Sequence, residues 1–272
     1  MRGLTPASPS SMSFAVSLSD PSIRQMDGLE IYRLPHEPGV VPRSDVTPSC
    51  RQIIGRSPSV LAARASSEVV PMRILHIDSS ILGAYSVSRA LSAQIVSRQV
   101  AANPSAKLIY RDLATQPVSH LSAAHIAVFQ GAASTDPALG EDVAAGRAFI
   151  DDLFAADIIV IGAPMYNFSL ASQLKAWIDR VCVAGKTFQY GPSGPEGLLP
   201  PGKKVFIASS RGGVYTGDTP AAALDHHESY LRGVLAFIGL SDVTVIRAEG
   251  LNFGEEAKAA SVARASAEVA AL

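Results

Sequence analysis

This chain of 272 residues is poor in the features that mark many common functions. Its two cysteines, Cys50 and Cys182, cannot build a disulfide framework and have no C-x-x-C spacing, so a reducing, cytoplasmic setting is expected. No apolar run reaches the roughly 18 residues a membrane span needs. Lys and Arg number 23 against 24 Asp and Glu, a net charge of −1 without any like-charge block. That balance excludes a dedicated nucleic-acid surface or a polybasic membrane surface. There is no H-E-x-x-H and no cysteine cluster. His226 and His227 are adjacent and His120 and His125 are five apart, so neither pair shares a helical face and no metal is expected. The phosphate-binding patterns G-x-G-x-x-G and G-x-x-x-x-G-K-[ST] are absent, which argues against a dinucleotide or nucleoside-triphosphate fold. Internal repeats are also absent.

Composition changes near residue 72. Residues 1–71 hold 9 of the 18 prolines and 13 serines, with six acidic residues and seven arginines. Such a stretch buries too little apolar surface to offset an ordering entropy of roughly 1–2 kcal/mol per residue, and is expected to be disordered. It has neither the apolar run of a signal peptide nor the acid-poor composition of a transit peptide. Met72 opens the apolar run MRILHIDSS and is the expected native start of the folded unit, 72–272.

From there, short apolar runs alternate with helical periodicity. Strands are expected at 73–78, 107–113, 157–163, 204–210 and 242–249. Helices are expected at 86–102, 141–155, 170–183 and 221–238, with a closing helix from Glu255. The stripe Leu170, Leu174, Trp177, Ile178 and Val181 reads as a packing face, and His76 and Cys182 read as packed residues. Residues 114–140 read as loop with a short helical turn. Five strands joined by helices predict a doubly wound α/β parallel sheet of order 2-1-3-4-5, with helices on both faces.

Ligands of such sheets collect at the carboxyl ends of the strands where the order reverses. Three unusual segments fall there. Ser79-Ser80 to Ser88 is a hydroxyl-rich loop opening a helix, suited to a phosphate dianion; Ser86 or Ser88 also suits a helix cap. Ala163-Pro164-Met165-Tyr166-Asn167-Phe168 offers an apolar wall, an amide and backbone donors, as a flat conjugated ring requires. Ser209-Ser210-Arg211-Gly212-Gly213 lets a backbone approach a ligand closely.

These segments, with GKTFQYGPSGPEGL (185–198) and FIGL (237–240), give residues 72–272 a resemblance to the FMN-dependent NADH-azoreductases, within the wider flavodoxin-like quinone reductases. The resemblance implies bound FMN, with NADH or NADPH as hydride donor and azo compounds or quinones as acceptors. It implies a ping-pong route in a homodimer whose flavins lie near the subunit interface. Carried over by position, the FMN contacts are Ser80, Ser86, Val87 and Ser88, then Met165, Tyr166, Asn167 and Phe168, then Ser210, Arg211, Gly212 and Gly213. At Val87, where relatives often have a polar residue, only the backbone contact carries over. Tyr190 and Phe237 are similar to residues that shape the substrate side of the pocket. Chemistry takes place at the flavin N5, so no catalytic acid or nucleophile is expected. Two other classes stay open: a flavodoxin-type electron carrier, and a hydrolase with Ser79 or Ser80 as nucleophile, for which no G-x-S-x-G elbow exists.

Overall fold

The computed structural model describes residues 71–272; the expectations for an N-terminal extension fall almost wholly outside them. Strands β1 (Arg73–Asp78), β2 (Lys107–Asp112), β3 (Ile158–Tyr166), β7 (Lys204–Ser210) and β8 (Asp242–Ala248) form a parallel sheet of order β2-β1-β3-β7-β8. This is the expected 2-1-3-4-5 arrangement. The inner strands read as continuous apolar runs because helices cover both faces. Alternate residues serve the two sides: Leu75, Ile77, Ile159, Ile161, Val205 and Ile207 pack in one core cluster. Ile74, Ile158, Val160, Phe206 and Ala208 pack in the other.

The first cluster is closed by α3 (Pro137–Ala155), α4 (Ser172–Val181) and α5 (Glu228–Phe237) through Phe149, Leu153, Trp177, Val181, Leu231 and Leu235. The second is closed by α1 (Val87–Ala102) and α6 (Glu255–Ala270) through Leu91, Ile95, Val96, Ala265 and Val269. Each large apolar side chain removed from water contributes about 1.5–3 kcal/mol. The predicted stripe of α4 is wholly buried. Cys182 is half-buried against it, and burial pushes its thiol up to about 11, leaving it protonated and inert at neutral pH. His76 is buried on β1, 2.9 Å from Ser92 Oγ.

Several elements depart from the sequence reading. The 114–140 stretch contains α2 (Ala123–Phe129), and α3 begins four residues early because Asp136 caps it and Pro137 suits its first turn. The helical period of 141–155 predicts a stripe of Val143, Ile150, Leu153 and Phe154, but Phe154 is exposed. Strand β3 runs on to Tyr166 and folds back on β4 (Ser169–Leu170), so α4 starts at Ser172. A hairpin of β5 (Phe188–Gly191) and β6 (Gly194–Gly197) was not foreseen. The expected helix at 221–238 is a 3-10 turn (Pro220–Leu224) and then α5, separated where Asp225 Oδ1 accepts from His227 N and Glu228 N. Among the described residues, no helix is long and apolar enough to cross a membrane, and no group of three or more His, Cys, Asp or Glu could hold a metal ion.

Candidate functional site

All three foreseen segments lie at the carboxyl edge of the sheet, after β1, within and after β3, and after β7. The hydroxyl loop follows β1, and its serines are buried although its tip, with Ile81, Leu82 and Tyr85, is exposed. Ser86 ends the loop in extended backbone and its Oγ accepts from Arg89 N, a helix N-cap, while bonding Ser88 Oγ at 3.0 Å. Two buried hydroxyls therefore sit against the N-terminus of a 16-residue helix, whose first N–H groups lack intrahelical partners. An anionic oxygen is the ligand that this donor set and dipole end suit.

Arg89 holds the loop from behind. Its Nε and NH2 donate to the Ser80 carbonyl at 3.1 and 2.9 Å, while NH1 and NH2 fork onto Asp112 at 2.9 and 2.6 Å. That pairing holds the Asp112 carboxyl below its usual range and raises the guanidinium further. Beneath lies buried Asp78, which accepts from Ser92 Oγ at 2.8 Å and Tyr110 Oη at 3.1 Å. His76 Nε2 lies 2.9 Å from the same Ser92 Oγ and 3.4 Å from Asp78 Oδ2, so the four side chains form one connected polar group. Ser79 Oγ donates to the Gly162 carbonyl at 2.8 Å and Ser80 Oγ lies 3.1 Å from Tyr166 Oη. Neither serine bonds a histidine, which removes the support for a serine nucleophile.

The second segment is a hairpin turn. Tyr166 pairs with Ser169, so Asn167 and Phe168 are its two central residues, with φ of 47° and 69°. Positive φ at both centres is the geometry that matches the twist of a tight hairpin. It is unusual for a bulky residue such as Phe168 and costs of order 1–2 kcal/mol. The turn exposes Asn167 and the Phe168 ring, and Met165 and Tyr166 are half-buried behind it. Tyr166 Oη also accepts from Ile81 N at 3.3 Å, so this segment is tied to the hydroxyl loop.

The third segment crosses a turn after β8 that the sequence reading missed. The carbonyls of Arg211, Gly212 and Gly213 accept from Leu251 (3.1 Å), Asn252 (3.0 Å) and Gly250 (2.9 Å). A trans peptide group points its N–H opposite to its carbonyl. The N–H groups of Gly212, Gly213 and Val214 belong to the same three peptide groups and so face away from the 250–252 turn as successive donors. A Cβ at Gly212 would lie 2.4 Å from Asn252 Nδ2, so a side chain there would displace that amide. The Tyr215 ring packs against Gly213 and stands edge-on to Phe168, with centroids 6.2 Å apart.

Two expectations change in character. The Arg211 backbone forms part of the glycine turn, but its side chain is fully buried beneath it. There it pairs with Asp225 and Glu249, at 3.1 and 3.0 Å, and with Glu228. It has no charge left to offer a ligand. Tyr190 and Phe237 join one aromatic group through Phe188, whose ring lies 5.6 Å from Tyr190 and 4.5 Å from Phe237. That group lies at the opposite edge of the sheet from the three loops. Phe237 closes α5 just before β8 begins, and Leu199 N bonds the Ile238 carbonyl at 3.2 Å, so the hairpin docks at the amino edge. The length of a seven-residue strand, about 20 Å, separates it from the three loops. Arg89, Tyr215, Asp225, Glu249 and Asn252 were missed because each contributes through contacts distant in sequence. The one local hint was Asp225 with Glu228 in the first turn of a helix.

The family described as "Flavodoxin-like fold" matches residues 72–272. An FMN-dependent NADH:quinone oxidoreductase of Sinorhizobium fredii (strain NBRC 101917 / NGR234) is 54% identical over 199 residues, covering 73% of this chain and 96% of the relative. A protein of the same description from Methylorubrum extorquens is 54% identical over 201 residues, 74% of this chain and 98% of the relative. Among solved structures, an azoreductase from Bacillus anthracis str. Sterne superposes with a TM-score of 0.64 at 25% identity, covering 74% of this chain and 100% of that one.

Proposed function

The chain belongs to the flavodoxin-like fold family, and on that premise we propose that residues 72–272 bind one FMN and use NADH or NADPH to reduce quinones and azo compounds. One observation carries the reading: a buried hydroxyl loop at a helix N-terminus stands at the same sheet edge as a strained hairpin turn and three successive outward peptide N–H groups. The first suits a phosphate dianion. The other two suit the face and the polar edge of an isoalloxazine ring.

Ser80, Ser86, Ser88 and the first N–H groups of α1 would hold the phosphate. Met165 to Phe168 would lie along the ring, and the peptide N–H groups after Arg211 would meet its pyrimidine edge. Bound there, FMN would supply two-electron redox chemistry at N5 between the nicotinamide and the acceptor, with the balancing protons coming from solvent. The chain's part is to fix the ring, to leave one face open for donor and acceptor in turn, and to offer preorganised donors where negative charge develops. Phe168 and Tyr215 flank that approach as apolar walls for flat conjugated molecules, which is how a single pocket serves quinones and azo compounds by a ping-pong order. No residue is required to give or take a proton.

We further place the active form in a homodimer. The Phe188–Tyr190–Phe237 group is exposed at its Tyr190 end and lies far from its own loops. A second copy in the opposite orientation brings it to the substrate side of the first copy's flavin. The low cysteine content supports a cytoplasmic setting.

The purified chain mixed with FMN is expected to retain the flavin on desalting, to bleach anaerobically with NADH and to regain colour on adding a quinone or an azo dye. A chain that stays colourless refutes the cofactor site. One that binds FMN but does not bleach with free NADH is an electron carrier instead.

A further inference from the structure

The segment Asp225–Glu228 touches both ring-side loops of the site, and nothing about the reading above requires it to. Toward the hairpin turn, His226 N donates to the carbonyl of Phe168 at 3.1 Å, and Ser169 Oγ donates back to the His226 carbonyl at 3.3 Å. The first bond grips Phe168, on which the left-handed backbone of the turn is most costly, and the second grips the residue after it. Toward the glycine turn, Asp225 Oδ2 lies 3.1 Å from Arg211 NH1, and Glu228 pairs with Arg211 NH2. Glu228 is itself fixed by Arg247, whose Nε donates to its two oxygens at 2.9 and 2.7 Å. Glu249 completes the hub: one oxygen takes Arg211 NH1 and Tyr215 N, each at 3.0 Å, and the other takes Thr216 Oγ1 at 2.6 Å.

Between these two grips sits His227, wholly enclosed. Its ring lies beside the Pro164 carbonyl at the end of β3, yet neither ring nitrogen has a well-formed hydrogen bond. A buried polar ring without partners is costly, and such costs persist where surrounding contacts over-determine the position. Four consecutive residues thus contact the end of β3, the hairpin turn beyond it and the arginine beneath the glycine turn.

We propose that Asp225–Glu228 is a positioning element that sets the distance between the Asn167–Phe168 turn and the Gly212–Gly213 turn, and so the fit of the flavin ring. This rests on the assignment of FMN to the site. The residues themselves need not touch the cofactor. They act through Phe168 and Arg211.

Two substitutions cut the two grips separately. Asp225→Asn keeps an oxygen to cap His227 N and Glu228 N but removes the charge paired with Arg211. Ser169→Ala removes one hydroxyl at the hairpin side. The readout is the FMN dissociation constant, taken by fluorescence titration of the full chain at a temperature where circular dichroism shows each apo-protein folded. Asp225→Asn is expected to weaken FMN binding about tenfold, as loss of a buried charge partner should, and Ser169→Ala about threefold. In the double variant the loss should stay near that of Asp225→Asn alone, since a segment already freed at one end can no longer hold the other. Unchanged affinity in both single variants overturns the proposal, whatever happens to their melting temperatures. So does a double variant in which the two losses simply multiply. Failure of the unaltered chain to take up FMN overturns the site assignment first, and this proposal with it.

Discussion

Asp78 ends β1 beneath the hydroxyl loop, with Ser92 on one carboxylate oxygen and Tyr110 on the other. Gly162 of β3 lies against it so closely that a Cβ would stand 2.2 Å from Asp78 Oδ1 and 3.2 Å from Ser92 Oγ. Gly162→Ala must therefore either displace a buried carboxylate from its donors or push two paired strands apart. The expected cost is about 2–4 kcal/mol, from overpacking together with a disrupted buried hydrogen bond. Thermal unfolding checks it, and a melting temperature within a degree or two of the parent would show that Asp78 moves freely. At this scale the legible residues were those whose role is local. Ser86 announces a cap before an apolar-periodic run, whereas the left-handed hairpin turn at Asn167 and Phe168 emerges only in the fold. Arg211 shows the limit. Its position beside two glycines reads as backbone open to close approach, but only the fold shows its guanidinium turned inward onto carboxylates 14, 17 and 38 residues away.

The strands and helices that were read correctly carry their signal in periodicity, as in the continuous apolar run of β3 or the stripe of α4. The misread ones are decided by a partner. An alanine-rich stretch at 221–224 has every helical propensity, yet the chain turns at Asp225 because that carboxylate bonds the N–H groups that open α5 and reaches Arg211 as well. The α5 entrance also carries a pH dependence. Burial first, then the nearby Arg211 charge, pushes His227 down to about 4, against the opposing pull of Glu228 and Asp225. The folded protein thus binds fewer protons than the unfolded chain between about pH 6.5 and 4. Stability is full above the upper value and falls as pH drops through this window, by up to about 3 kcal/mol, levelling off once the folded form also takes the proton. His227→Gln should remove this component. Denaturant unfolding from pH 7 to 4.5 tests it, and parallel curves for variant and parent would mean that His227 is not held neutral. The carboxyl of Asp225, held low chiefly by the His227 backbone and Arg211 against its desolvation, contributes only at more acid pH.

For the whole molecule, the separation of Tyr190 and Phe237 from the strand-end loops makes the proposed dimer testable without knowing its interface. Tyr190→Ala should leave FMN affinity unchanged and lower kcat/KM for quinone severalfold. When it is mixed with an Asn167→Ala chain impaired in flavin binding, each heterodimer joins one intact flavin loop to an intact partner aromatic group and places both alterations in its other site, so activity should recover in the mixture. Sedimentation at twice the chain mass is expected, and a monomer with full activity would remove the partner's role. A chain beginning at Met72 is expected to take up FMN with the affinity of the full-length protein, and a weaker affinity would assign residues 1–71 a part in the site. Sequence alone determined the sheet order, the crossovers and the three segments at its carboxyl edge. Each depends on short-range pattern: apolar period, turn chemistry and the handedness of a β-helix-β unit. Only the tertiary structure decided which way each side chain of those segments faces, and that a fourth turn after β8 braces the third. It also decided that the four residues leading into α5, Asp225 to Glu228, join two loops. Those outcomes rest on burial and pairing between residues far apart in the chain, where a charge takes its place from the partner it finds rather than from its neighbours in sequence.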